Sequence, residues 1–151
     1  MKFKQLDEKD NMILDHLLDN GRLSHAELGR FVNLTRAAVR ERVNGLMEQG
    51  IIDKFTVIVN PLKAGKSMSV YFLIEVEWNL LETVAETLLA DDEITSVYQM
   101  SGGPHLHVHA LMDDQEHVEK YLRKLQTVEG ITNVHSEFLI RRFKEREGIQ
   151  I

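Results

Sequence analysis

Two helix-start signals eleven residues apart constrain this chain more than any other feature. Ser24-His25-Ala26-Glu27 is a full capping box, with Ser at the N-cap and Glu three residues on. The hydroxyl can accept one free amide and the carboxylate another, so a helix opens here. Thr35 caps a further helix, in which Val39, Val43 and Leu46 recur on one side. Between the two caps there is room only for a short helix to about Phe31, turning Ala26, Leu28 and Phe31 or Val32 inward, and a tight connection at Asn33-Leu34. Gly50 ends the later helix. Upstream, Asp7 is the N-cap of a first helix carrying Ile13, Leu14, Leu17 and Leu18. Asn20-Gly21 closes it, the glycine being free to turn left-handed. A short capped helix, a turn of a few residues and a second capped helix have the spacing of a helix-turn-helix.

The outward residues of the later helix are Arg36, Ala37, Arg40, Glu41 and Asn44. Arginine bridges guanine edges or phosphates, asparagine reads adenine, and a small alanine permits close approach to a groove floor. Double-stranded DNA is therefore the expected partner, although an ordinary solvated helix face carries arginines too. Ser24 and Thr35 cap their helices in either case, and the amides exposed there also suit a phosphate. Arg42 sits beside the inward Val43, which points to an ion pair with an acid of the first helix rather than to DNA.

After Gly50 the pattern changes. Residues 51–59, Ile-Ile-Asp-Lys-Phe-Thr-Val-Ile-Val, are β-rich and read as a linker strand. Asn60-Pro61 breaks it, which divides the chain into a module over 1–60 and another over 61–151. The second module reads strand (69–77), helix (80–89), strand (94–100), turn (101–104), strand (105–112), helix (115–126) and a long last strand (131–143). The expected class is therefore α+β: a three-helix helix-turn-helix domain followed by a βαββαβ domain of ferredoxin-like arrangement. Both helices of that arrangement cover one sheet face. The other face would carry Tyr71, Leu73, Leu111, Leu139 and Phe143, and needs a partner; packing against a second copy would cover it.

Charge is divided unevenly. Residues 1–60 hold nine Lys/Arg and nine Asp/Glu; the remainder holds nine and fifteen and carries the whole net charge of −6. A neutral module tied to an acidic one gains little from loose attraction to phosphates, so tight binding calls for a local basic surface in more than one copy. The chain has no cysteine. Its first residues lack the apolar core of a signal peptide, and no stretch approaches the roughly 20 apolar residues of a membrane span. A cytoplasmic protein without a membrane partner is expected.

His105, His107 and His109 alternate and share one face of their strand. Such a row could take a divalent metal with a neighbouring carboxylate such as Glu75, or titrate near neutral pH. No second His or Cys cluster supports a metal, and no cofactor or metal is expected. Catalytic constellations are absent from the sequence: there is no phosphate-binding glycine loop, no G-x-S-x-G and no H-E-x-x-H. Ser101 near His105 lacks an orienting acid, so no enzyme is expected.

The residues Leu6-Asp7-Glu8-Lys9-Asp10, Ile13-Leu14, Leu17, Asn20-Gly21-Arg22-Leu23-Ser24, Glu27-Leu28, Leu34-Thr35, Val39, Arg42-Val43, Leu46, Gly50-Ile51-Ile52 and Asn60-Pro61 with Gly65 resemble the Lrp/AsnC family of feast/famine regulators. Over the second module the resemblance is one of element order. It implies a transcription regulator that dimerises through its sensing domain, assembles in some members into octamers, binds pseudo-palindromic DNA and responds to a small molecule, often an amino acid. The family's effector site implies that the loop Ser101, Gly102, Gly103, Pro104 and His105 binds the effector, at a contact between dimers. The family's loop carries an acid shortly after its glycine. Here Gly102 is present and His105 stands near the acid's place, which implies altered ligand chemistry.

Overall fold

The computed structural model of the chain describes residues 6–144. It divides into two compact units, one reaching Ile58 and the other spanning Val59–Lys144. In the first unit, helices α1 (Glu8–Asp19), α2 (His25–Val32) and α3 (Arg36–Glu48) start at the three expected caps: Asp7, Ser24 and Thr35 each accept an amide hydrogen from the residue three positions on. The helices meet through Ile13 and Leu14 of α1, Leu28 and Val32 of α2, and Val39, Val43 and Leu46 of α3, all buried. Burying such side chains stabilises the unit by about 1.5–3 kcal/mol each, before conformational entropy is counted.

Several local expectations need correction. Val32, not Phe31, is the buried residue at the end of α2; Phe31 is exposed and stacks on His16 at 4.7 Å. Ala26 is exposed as well, because the helix turns Leu28 and Gly29 inward instead. Gly21 does not adopt the left-handed conformation; Asn20 ends α1 in an extended conformation, with its amide bonded to the His16 carbonyl. The left-handed residue lies at the next helix end, where Asn33 has φ 54°. Residues 53–60 form no strand despite their β-rich composition. A strand needs a neighbour to take its amides and carbonyls, and none of the described residues pairs with this segment; Val57, Ile58 and Val59 stay exposed.

The second unit has the expected order: β1 (Met68–Val76), a 3-10 turn (Trp78–Leu80), α4 (Leu81–Leu89), β2 (Ile94–Gln99), β3 (His105–Met112), α5 (Gln115–Leu125) and β4 (Ile131–Phe138). The sheet runs β2-β3-β1-β4, and every neighbouring pair is antiparallel. Alternation decides the two faces. Val70, Phe72, Ile74 and Val76 of β1 and Leu106, Val108, Ala110 and Met112 of β3 point to one side. There they join Leu81, Val84 and Leu88 of α4 and Val118, Tyr121 and Leu125 of α5 in a single core. The Tyr121 hydroxyl donates to Asp91 at 2.9 Å, so the one polar group that α5 sends inward is satisfied. Gly130 needs φ 91° and stands so close to Leu80 that an added Cβ would lie 2.7 Å from it. β4 ends at Phe138, five residues short of the expected Phe143. Its pairing with β1 stops at Phe138 opposite Val70, although β1 itself begins at Met68, and the Leu139 amide still donates to the Ser69 carbonyl.

Candidate nucleic-acid interface and effector loop

The turn between α2 and α3 is held from both sides. Asn33 and Leu34 both donate their amides to the Gly29 carbonyl, the latter at 2.9 Å. The Leu34 carbonyl in turn lies where a side chain on Gly29 would begin, 2.5 Å from an ideal Cβ. Only glycine lets the turn close this tightly on the helix. Lys9 of α1 adds a third tie, its Nζ donating to the Val32 carbonyl at 2.7 Å. That places a cation on the C-terminal end of α2, where free carbonyls favour one.

Arg42 is a structural residue, as its place beside Val43 suggests. Its Nη1 bonds Asp7 Oδ2 at 2.6 Å and Asp10 Oδ1 at 2.8 Å, fastening α3 to the start of α1. The Asp10 amide, followed by the Arg42 guanidinium, holds the Asp7 carboxyl below the ordinary value of 3.8. A carboxyl lowered in the folded chain contributes stability that is full above its unfolded pKa and is lost as pH falls through the folded one. Asp7→Asn is therefore expected to lower stability at neutral pH, with the difference from the parent chain shrinking steadily below about pH 3.8. Urea unfolding of both chains between neutral and strongly acid pH measures this. A difference that is constant across the range would contradict the assignment.

With Lys9 and Arg42 engaged in the fold, α3 keeps Arg36, Ala37, Arg40, Glu41 and Asn44 exposed on its outer side. Among the described residues neither Arg36 nor Arg40 has a salt-bridge partner. Arg36, Arg40 and Asn44 recur every four residues, a stripe along one side of the helix. Ser24 and Arg36 come together around an open concavity that Leu23, His25 and Ala26 complete. Thr35 precedes Arg36 directly, with its hydroxyl committed to the Ala38 amide at 3.1 Å. The Ser24 hydroxyl is likewise committed to the capping box: Oγ accepts the Glu27 amide at 3.2 Å and donates to the Glu27 carboxylate at 2.7 Å. That hydroxyl is the main reason Glu27 stays below the ordinary carboxylate value. The surface can accept phosphates at Arg36 and at the start of α2, and can present the Arg40 and Asn44 side chains to base edges.

In the second unit the loop between β2 and β3 gathers the five effector candidates. Ser101 and Gly102 are exposed; Gly103, Pro104 and His105 are half-buried. Gly102 has φ 123°, a conformation that other residues adopt only under strain. The Pro104 carbonyl accepts the Val76 amide at 2.8 Å, anchoring the loop to the end of β1. The His105 amide donates to the Gly103 carbonyl at 2.9 Å, and the His105 ring lies over Gly103. A separate concavity lies along β4 and the residues after it, lined by Tyr71, residues 137–141 and Phe143.

The histidine row is chemically divided. His109 is held by the Ser69 and Thr95 hydroxyls, at 2.7 and 2.5 Å from its two ring nitrogens, and stacks on Tyr71. His105 and His107 face each other with ring centroids 5.4 Å apart. Among the described residues no three His, Cys, Asp or Glu side chains are grouped as ligands of one metal ion.

The roles of Gly29 and Lys9 are not evident from the sequence. A glycine in the middle of a short helix is costly by itself and was the available signal for Gly29. Nothing local marks Lys9, since its role depends on the end of α2 becoming its neighbour.

A helix-turn-helix with a free arginine stripe, joined to a separate α+β domain with an unused sheet face, defines a DNA-binding protein with an attached sensing domain. The comparisons place that class. Residues 6–53 match the winged helix-turn-helix DNA-binding domain, and residues 69–149 match the Lrp/AsnC ligand binding domain. An uncharacterized HTH-type transcriptional regulator of Pyrococcus abyssi is 32% identical over 136 residues, covering 89% of this chain and 86% of that protein. The HTH-type transcriptional regulator FL11 of the same organism is 30% identical over 146 residues, covering 97% of each. Among solved structures, E. coli AsnC superposes with a TM-score of 0.86 at 22% identity, covering 93% of this chain and 96% of that one. A Neisseria meningitidis regulator in complex with L-Met superposes with a TM-score of 0.90 at 21% identity, covering 96% of each chain. The chain belongs to the Lrp/AsnC family of transcription regulators: it is a DNA-binding regulator with a ligand-binding domain, not an enzyme. Among the described residues no helix is long and apolar enough to cross a membrane.

Proposed function

We propose that the protein binds a specific pseudo-palindromic DNA site as a homo-oligomer and that a small molecule, amino-acid-like in size, adjusts this binding from the β2–β3 loop. The observation that carries the reading is the exposed Arg36, Arg40 and Asn44 stripe on a helix whose one other cation, Arg42, is tied into the fold. Arg36 and Arg40 are the principal readers, Asn44 and Ala37 approach the bases, Glu41 borders them, and the capped starts at Ser24 and Thr35 lie against phosphates. One such helix offers few contacts, and the chain as a whole is acidic, so affinity requires two helices in successive major grooves. The helix-free sheet face of the sensing domain is the surface that would pair the copies. The effector acts between sensing domains at Ser101, Gly102, Gly103, Pro104 and His105, through assembly rather than by touching DNA. The L-Met complex of the Neisseria protein supports a ligand of this size for the fold.

Footprinting on the DNA upstream of the protein's own coding sequence tests the reading. Protection should fall on paired half-sites about 10 base pairs apart, centre to centre, or a multiple of that. A single isolated half-site, with no second one at helical spacing, would contradict it.

A further inference from the structure

The β2–β3 loop leaves donors open. Its backbone bonds are two: the Pro104 carbonyl accepts the Val76 amide, and the His105 amide donates to the Gly103 carbonyl. The amides of Ser101, Gly102 and Gly103 have no acceptor among the described residues. Two of the three belong to glycines, so no side chain shields them. A run of free backbone amides of this kind takes an anion such as a carboxylate.

An open acceptor stands beside these donors. Glu75 lies opposite His105 in the last pair that β1 forms with β3, at the loop end of the sheet, and opposite Asn133 of β4. Opposed residues point to the same face, so the Glu75 side chain neighbours the His105 ring. That ring lies against the loop, its Nδ1 being 3.3 Å from where a Cβ on Gly103 would begin. Among the described residues the one charged neighbour of Glu75 is His135, whose Nε2 is 3.9 Å from Oε1. This nitrogen has no proton to give. Asn133 Oδ1 accepts the Val134 amide at 3.0 Å, which turns Asn133 Nδ2 to His135 Nε2 at 2.9 Å. An amide nitrogen only donates, so the imidazole nitrogen accepts. Glu75 is thus an exposed carboxylate with no hydrogen-bond donor among the described residues.

We propose that Glu75 is the anionic half of the effector site, taking the ammonium group of an α-amino acid whose carboxylate lies on the amides of Ser101, Gly102 and Gly103. The inference rests on the effector loop proposed above and adds the β1 residue that selects the ligand's charge. The spacing suits it. In an α-amino acid the ammonium nitrogen and the carboxylate carbon are about 2.5 Å apart. With hydrogen bonds of about 2.9 Å at each end, the two protein groups must stand roughly 6–8 Å apart. Gly103 is two residues from His105, at most about 7 Å along the chain, and His105 faces Glu75 directly. The loop itself carries no acid, so the cation-binding group comes from the neighbouring strand.

Isothermal titration calorimetry on the full chain, in buffer containing EDTA, tests the proposal. The probes are the twenty L-amino acids, screened singly by thermal shift, and for the tightest of them the analogue with hydrogen in place of the amino group. The analogue should bind the parent chain at least about tenfold more weakly, for want of one charge-assisted hydrogen bond. Glu75→Gln should weaken the amino acid about ten- to hundredfold and the analogue far less. Glu77→Gln, two residues along the chain, should leave both affinities at the parent values. Gly102→Ala, strained at φ 123°, should weaken both ligands. Amino-acid affinity that survives Glu75→Gln but falls in Gly102→Ala would overturn the role of Glu75 and leave the effector loop in place. Affinity that survives both substitutions would put the ligand elsewhere and sink the loop reading as well. An equal loss of both ligands in Glu75→Gln would show a structural role and also overturn the proposal. Binding of none of the twenty would overturn it and remove amino acids as effectors of this loop.

Discussion

Arg36→Ala combined with Arg40→Ala is expected to lower affinity for the specific DNA site at least about a hundredfold, with the fold and the oligomer unchanged. A well-placed bidentate arginine contributes about 1–3 kcal/mol of discrimination, and the paired assembly presents each one twice. Neither side chain has a salt-bridge partner among the described residues, and both are exposed, so their truncation opens no cavity and leaves no buried charge unpaired. Fluorescence anisotropy with specific and scrambled duplexes measures the loss, while sedimentation and circular dichroism confirm the assembly and fold. The loss should be larger for the specific duplex than for the scrambled one. Arg42→Ala provides the contrast: removing its bonds to Asp7 and Asp10 should lower thermal stability, and affinity only through it. If the double variant kept its specific affinity, the reading surface would lie elsewhere.

Gly29→Ala should be among the most destabilising single substitutions in the DNA-binding unit. The added methyl would stand 2.5 Å from the Leu34 carbonyl oxygen, a backbone atom that cannot rotate away as a side-chain end could. To relieve the clash the turn must move. The Gly29 carbonyl would then lose the Asn33 and Leu34 amides, and Val32 and Val39, on either side of the turn, would repack. Overpacking of this kind costs about 1–3 kcal/mol, a large share of the stability of a small unit. The substitution places alanine, the better helix former, in a helix, so propensity alone predicts the opposite sign. A thermal melt separates the two: a lower transition for the DNA-binding unit supports the packing argument, and a raised one refutes it. Because the turn sets the angle between α2 and α3, DNA affinity should fall with it.

Much of the fold was legible because its signals are local. Asp7, Ser24 and Thr35 cap their helices by bonds within three residues, and Ile13, Leu28, Val39 and Val43 reveal the buried side by spacing alone. The alternation in β1 and β3 likewise separates the core face from the open one. What was not legible depends on neighbours. The β-rich run at 53–59 is no strand, since composition does not supply the strand it would pair with. The extent of β4 was overestimated because residues 139–143 read as strand by composition, whereas the pairing with β1 stops at Phe138. In the candidate DNA-binding surface, the type and direction of Arg36, Arg40 and Asn44 followed from helical phase. The distinction between these and the tied Lys9 needed the Val32 carbonyl in place. The three-histidine row was visible from alternation, but that His135 shares its sheet face follows only from the register of β4 against β1.

The central claim is sequence-specific DNA binding by a paired assembly. The most direct measurement is the affinity of the full-length protein for its own upstream DNA and for a scrambled duplex of equal length, over a series of salt concentrations. The account predicts that both affinities fall linearly on logarithmic axes as salt rises, since phosphate contacts release counterions. It also predicts that preference for the upstream duplex persists at every salt concentration, since base contacts do not depend on those ions. Equal affinity for the two duplexes throughout the series would contradict it.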